Sequence, residues 1–310
     1  MDGILVIDKP AGPTSHDVVS RLRYALKEKK VGHTGTLDPT ATGVLPIVLG
    51  VATKVARYIS CGDKTYRATI RLGITTDTLD AAGVVQSEQP VTVDEVQVRK
   101  VLESFIGEIE QVPPMYSAKK VDGKKLYELA RKGIEVERKA KKVHIHRLEI
   151  ISVALPELTI EVSCSAGTYV RVLARDVGER LGCGGHLELL TRISAGQFLL
   201  SEAITLQEAI DDPNVVKQKI IPISKALTVL PKLILPKHVA KMVQDGFQLT
   251  VAQLRTLDTP NFSSDETIGL WLDSGEIIAI AKTLMPANEL AVSRRDRQAL
   301  KTERVLLQKR

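Results

Sequence analysis

Val31-Gly32-His33-Thr34-Gly35-Thr36-Leu37-Asp38-Pro39-Thr40-Ala41-Thr42-Gly43 sets one carboxylate among hydroxyls, with glycines and a proline around it. Gly32, Gly35 and Gly43 permit backbone angles closed to other residues, and Pro39 biases Asp38 away from helical geometry. A stretch so constrained, holding a single acid, suggests a positioned catalytic group. The same run also fits an ordinary turn, since Asp-Pro and glycine-rich segments commonly make turns.

Outward from this loop the chain alternates strands and helices. Residues 3–8 read as a strand, and Ser15 as the N-cap of a helix to about Lys29, with Val18, Leu22 and Leu26 forming one buried stripe. After the loop, Val44 to Leu49 reads as a short buried strand and Ala52 to Ile59 as a short helix. Lys64 to Gly73 alternates cleanly: Tyr66, Ala68, Ile70 and Leu72 share one face, and Thr65, Arg67, Thr69 and Arg71 the other. Tyr66 thus opens an apolar face while keeping a hydroxyl that needs a partner. Residues 94–106 look helical, 111–120 irregular, and Leu126, Leu129 and Ala130 indicate another short helix. Leu158 to Cys164 reads as a strand. Gly167 then turns the chain into a helix over Thr168 to Leu181, where Arg171 and Arg175 are spaced to share a face. Gly182-Cys183-Gly184-Gly185 closes that helix, and His186 to Arg192 follows.

Pro213, Pro222, Pro231 and Pro236 punctuate a stretch with little periodicity, which puts a domain boundary near residue 229. Beyond it, a helix over Lys237 to Asp245, a hairpin of Ile268–Leu272 with Ile277–Ala281, and a last strand over Glu303 to Gln308 describe a small, mostly β unit.

At 310 residues, 44% hydrophobic and 26% charged, the chain is an ordinary globular protein with room for one large domain and a small one. No apolar run approaches the ~20 residues that span a bilayer. The start, Met1-Asp2-Gly3-Ile4, carries an acid where a signal peptide needs basic residues. Cys61, Cys164 and Cys183 form no close ligand pair, so neither a disulfide framework nor a zinc site is expected, and the expected compartment is the cytoplasm. The net charge of +6 is unevenly spread. Residues 119–147 hold 11 Lys/Arg against 4 Asp/Glu, so this one segment carries the whole excess, as expected of a polyanion binder.

Other motifs exclude themselves. Ser117-Ala118-Lys119-Lys120 fits S-x-x-K but has no S-D-N or K-T-G companion. No phosphate-binding G-x-x-x-x-G-K-[ST] loop occurs. His144 and His146 share a strand face without a third ligand, which favours a surface strand over a metal site. What survives is an acid at Asp38, an aromatic hydroxyl at Tyr66 and a cation at Arg171.

With these residues laid out, the chain resembles the bacterial tRNA pseudouridine-55 synthases, the TruB family, over nearly its whole length. Gly32 to Pro46 is similar to the family's catalytic loop. Lys9-Pro10-Ala11-Gly12-Pro13-Thr14-Ser15 matches its K-P-x-G-x-T-S, and Lys64-Thr65-Tyr66 resembles its tyrosine strand. Pro113 to Lys119 resembles its P-P-x-Y-S-A-x-K segment, Gly167-Thr168-Tyr169-Val170-Arg171 its arginine motif, and Gly182 to Arg192 the segment closing its pocket. The tail resembles a PUA domain more loosely.

The resemblance implies an α+β pseudouridine synthase fold, with a central mixed, largely antiparallel sheet flanked by helices and loops. It implies a catalytic domain over 1–228 with a basic RNA-binding insertion at about 111–147, and a PUA-like RNA-binding domain over 229–310. The implied activity is isomerisation of uridine 55 in the T loop of tRNA, without cofactor or metal, by a monomer needing no protein partner. Asp38 falls on the family's nucleophile, Tyr66 on its pocket tyrosine, and Arg171 on the arginine pairing the aspartate. His33, Tyr66, Tyr169 and Leu190 fall on substrate contacts. Lys119, Lys120, Lys124, Lys125, Arg131 and Lys132 are the candidates for gripping backbone phosphates. Arg171 beside Asp38 is expected to favour the charged carboxylate. Two other readings stand beside this one: an RNA-folding factor that does not need catalysis, and a guide-RNA-dependent relative inside a ribonucleoprotein.

Overall fold

The computed structural model describes residues 1–59, 62–117, 119–121, 123–130 and 132–306, without the side chains of Lys120, Val121, Lys124, Lys125 and Tyr127. Cys61 and Arg131 lie outside the described residues, as do Leu307 and Gln308 of the expected last strand.

Ten strands form one mixed sheet. Along its main path the order is Ile204–Thr205, Gly3–Lys9, Thr42–Leu49, Gly185–Ala195, Lys64–Leu72, Glu157–Cys164, Lys141–Ala154 and Gly107–Gln111. Among the described residues only two pairings in this sheet are parallel, Gly3–Lys9 with Ile204–Thr205 and Gly185–Ala195 with Thr42–Leu49. The mixed, largely antiparallel sheet is therefore as expected. Period-two patterning explains how it is covered. On Gly3–Lys9, Leu5 and Ile7 enter a core with Val18 and Leu22 of the Ser15–Ala25 helix and Leu173 and Val177 of the Val170–Arg180 helix. Ile4 and Val6 enter another core on the opposite face, beside Val44, Val48 and Phe198. Each aliphatic side chain so buried stabilises the fold by roughly 1.5–3 kcal/mol.

A second, four-stranded sheet runs Lys232–Ile234, Thr267–Trp271, Ile277–Thr283, Leu300–Val305. It has its own core, around Leu233, Val239, Leu270 and Ala281. Its other face does not stand apart: Trp271, Ile277, Ile280 and Leu306 join Ile4 and Val6 in the core behind the large sheet.

Several boundaries differ from those the sequence pattern predicts. The first helix is capped by Thr14, not Ser15: Thr14 and Asp17 exchange hydrogen bonds in a capping box. It stops at Ala25, where Lys27 takes a positive φ of 51° and the following amides turn back onto Arg23 and Tyr24 carbonyls. Residues 50–59 form a 3-10 turn before a single α turn at Ala56–Ile59. The last strand is Leu300–Val305, placed three residues earlier than expected, in register with Ile277–Thr283. Lys141–Arg147, counted with the basic insertion, are strand residues of the large sheet.

Candidate active site

The loop around Asp38 hangs between the Val31–His33 and Thr42–Leu49 strands, which pair antiparallel. Buried donors on other elements hold its backbone. Lys9, fully buried, donates from Nζ to the carbonyls of Pro39 (3.1 Å), Ala41 (2.8 Å) and Pro10 (2.9 Å). Ser15, freed from capping, both accepts from the Leu37 amide (2.8 Å) and donates to its carbonyl (3.0 Å). Arg192 donates to the carbonyls of Gly35 (3.1 Å), Thr36 (3.4 Å) and Val44 (2.7 Å). Gly43 closes the loop at φ 96°, and a Cβ there would lie 2.3 Å from the Arg192 carbonyl, so only glycine fits.

Arg171 comes from the first turn of the Val170–Arg180 helix. That helix seats close to the sheet because Gly178 has no side chain: a Cβ there would lie 2.2 Å from the Gly184 backbone. The Arg171 guanidinium grips Asp38 with two prongs, Nε to Oδ2 at 3.0 Å and Nη2 to Oδ1 at 3.3 Å. Nη2 also donates to the Tyr116 carbonyl (2.8 Å), and Nη1 to the Thr78 carbonyl (3.1 Å) and to Asp80 Oδ2 (3.2 Å). Asp80 is itself fixed by the Thr78 hydroxyl (2.6 Å) and the Ala82 amide (3.1 Å). One buried cation is thus shared by two carboxylates. Arg175, four residues on, pairs instead with Asp176 and Glu179 and does not reach the site.

This sharing changes the expected electrostatics. Burial pushes the Asp38 carboxyl above its ordinary range, Asp80 adds to the rise, and Arg171 and Lys9 oppose it without cancelling it. Arg171 favours the charged carboxylate as expected, but desolvation, which the sequence does not show, outweighs it.

A cavity of about 380 Å³ opens over Asp38, lined by Thr34 to Asp38, Lys64, Tyr66, Ser117, Tyr169, Arg171, Leu190 and Arg192 among others. Tyr66 is recessed at 8% exposure, and burial raises its hydroxyl pKa while the nearby Arg192 charge lowers it. Tyr169 is held at the helix start by a reciprocal pair of hydrogen bonds with Gln111 (3.0 and 3.3 Å). Asp38, Tyr66, Arg171, Tyr169 and Leu190 therefore meet in one cleft. His33 does not line it. It sits half-buried with Nδ1 unpaired among the described residues, and burial lowers its pKa.

Three residues escape sequence reasoning. Asp80 lies in a turn of ordinary composition, and nothing local marks its partner 91 positions away. Ser117, whose buried Oγ lacks a partner among the described residues, lines the cleft, although the S-x-x-K pattern around it carries no chemistry. Arg192 stands in the sequence only as the end of a segment. Lys119 and Lys132 are exposed, and Lys120 and Lys124 lie on the paired Lys120–Val121 and Lys124–Lys125 strands. His144 and His146 stand exposed on the Lys141–Ala154 strand, with rings 4.8 Å apart and His146 against Asp63 (3.2 Å). Among the described residues no cluster could hold a metal ion, and no helix is long and apolar enough to cross a membrane.

Residues 23–170 match the family model of the TruB family pseudouridylate synthase N-terminal domain, and 171–237 that of the tRNA pseudouridylate synthase B C-terminal domain. The chain is 49% identical over 249 residues to a protein of Clostridium kluyveri called tRNA pseudouridine synthase B, covering 80% of this chain and 86% of that one. A protein of the same name from Syntrophus aciditrophicus is 39% identical over 307 residues, 98% of each chain. Among solved structures, a chain in the crystal structure of a Cbf5-Nop10-Gar1 complex superposes with a TM-score of 0.78 at 27% identity, over 99% of this chain and 85% of that one. The fold and these matches define an isomerase of the pseudouridylate synthase class. The chain belongs to the TruB family.

Proposed function

We propose that this chain converts uridine 55 in the T loop of tRNA to pseudouridine. The observation that carries the reading is the Asp38 carboxylate gripped by Arg171 at one side of a cleft that also holds Tyr66. The names of the relatives support tRNA as the substrate, and the T-loop position follows from the resemblance of the loop, tyrosine and arginine motifs to the tRNA pseudouridine-55 synthases.

The reaction breaks the bond from C1′ to N1, rotates the uracil and rejoins it through C5. No atoms are lost and no redox change occurs, so a carboxylate suffices. Ionised Asp38 can attack C1′, attack C6 of the ring, or take a proton from C2′ to give a glycal. Flipping the uridine out of its loop costs a few kcal/mol. Stacking on Tyr66 recovers roughly 1–3 kcal/mol. Leu190 supplies an apolar wall and Tyr169 a rim. The Tyr66 hydroxyl takes part in the final proton removal from C5. His33, at the end of the strand before the loop, contacts RNA or helps fill the space left by the flipped base. The basic segment, with Lys119, Lys120, Lys124, Lys125, Arg131 and Lys132, grips backbone phosphates. Residues 229–310 act as a PUA-like RNA-binding unit joined to the catalytic unit of 1–228. The enzyme works in the cytoplasm as a monomer without a protein partner.

The test is tritium release from tRNA carrying C5-tritiated uracil, with the purified chain and bare RNA. Release in proportion to pseudouridine formed is expected, and none above background would sink the reading. Activity that appeared only with a guide RNA would instead favour the ribonucleoprotein alternative. An RNA-folding role is separated by Asp38→Asn, which ends isomerisation and leaves folding activity in place.

A further inference from the structure

Arg192 is 1% exposed, and its guanidinium makes no ion pair among the described residues, in contrast to Arg171 with its two carboxylates. Burying a charge without a countercharge is costly, and carbonyl dipoles offset only part of that cost. Its position accounts for the expense. In the sheet its backbone lies opposite Gly43, at the end of the Asp38 loop, on one side and opposite Tyr66 on the other. Its side chain holds the loop carbonyls of Gly35 and Thr36, faces the Tyr66 hydroxyl and lines the cleft. Besides Arg192, the groups acting on that hydroxyl are Asp38, across the cleft, and Cys164 of the neighbouring strand.

We propose that Arg192 is a positioning residue for the last step: it fixes the Tyr66 hydroxyl relative to the Asp38 loop and stabilises the phenolate that accepts the C5 proton. The inference rests on the function proposed above. Along the C1′ or glycal routes, the rejoined base carries both hydrogen and C1′ on C5. The C5–H bond breaks and its proton passes to the Tyr66 oxygen. The C–H electron pair forms the C5=C6 double bond, and the C6=N1 pair withdraws to N1, which takes a proton from water. Tyr66 rests as the neutral phenol and gives its own proton to solvent to form the phenolate, so the C5 proton restores the starting state.

The experiment compares single-turnover rates of Arg192→Lys and Arg192→Gln with wild type, on T-arm RNA with protium or deuterium at uracil C5. The expected result is a rate loss of about 10–100-fold, the size of a weakened general base, with RNA affinity held within about threefold. The C5 deuterium isotope effect should rise above the wild-type value, because only proton removal is slowed. A rate loss with an unchanged isotope effect would mean that Arg192 merely supports the loop, and an unchanged rate would remove it from the mechanism. A second measurement puts 3-fluorotyrosine, a more acidic phenol, at position 66. It should restore part of the Arg192→Lys rate. In the otherwise unaltered chain, it should change the C5 isotope effect even if neither Arg192 variant folds, and no change there overturns the proposal. Wild-type chain that forms no pseudouridine defeats the functional reading itself. Active wild type with indifferent Arg192 variants defeats only this inference.

Discussion

The Asp38 loop and the basic segment over 119–147 are two irregular regions built on opposite terms. Around Asp38, buried side chains from three other elements, Lys9, Ser15 and Arg192, hold the backbone from Gly35 to Ala41. In the basic segment, Leu126 is buried beneath a five-residue helix, while Lys119, Lys132 and Lys139 stand in solvent. Chemistry that depends on a few tenths of an ångström sits where the protein over-determines geometry. Attraction to a polyanion tolerates loose side chains, because counterion release depends on charge more than on direction.

That contrast can be broken from the rigid side first. Asp38→Asn should take tritium release to background while tRNA affinity, measured by filter binding, stays within a few-fold. Residual turnover would remove Asp38 from its assigned role. Arg171→Lys keeps the charge but gives up the fork on Asp38 and the hydrogen bonds to the Tyr116 and Thr78 carbonyls. We expect kcat to fall about 100-fold, the size of one or two missing charge-assisted hydrogen bonds, with a modest change in affinity. Unchanged kcat would contradict the pairing.

Asp80→Asn addresses the charge balance. In the proposed reaction Asp38 acts ionised, so with its raised pKa we expect activity to be lost as pH falls through a value above the ordinary carboxylate range. Removing the Asp80 charge lowers that pKa, so the acid limb of the kcat profile should move to lower pH. A limb that stays put would show that Asp80 does not act on Asp38 electrostatically. The smallest effect lies on the loose side. Replacing Lys119 and Lys132 by glutamine should weaken binding several-fold and reduce the salt slope by about 1 for each phosphate no longer neutralised. A constant slope would take these lysines off the RNA.

Much of the fold is legible in the sequence where one local rule acts alone. The alternation over Lys64 to Leu72 places Tyr66 on the buried face, and the glycines and proline mark the Asp38 loop. The first cap is ambiguous in the sequence because Thr14 and Ser15 are both good caps. Asp17, three residues beyond Thr14, decides the cap, and the Ser15 hydroxyl is needed by Leu37. Asp80 and Arg192 are illegible for a different reason. Asp80 meets Arg171 of a distant helix because its turn is bridged to Leu187, and Arg192 reaches the cleft through the pairing of Gly185–Ala195 with Lys64–Leu72 and Thr42–Leu49.

The core shared by Trp271, Ile277, Ile280 and Leu306 with Ile4 and Val6 bears on how this protein can be taken apart. A chain cut near residue 229 is expected to lose part of this shared core. It bares an apolar floor beneath the very strands that carry Lys9 and the end of the Asp38 loop. The tail is thus a structural lining of the catalytic unit, and exchanging it for another RNA-binding module would require the replacement to cover the same surface.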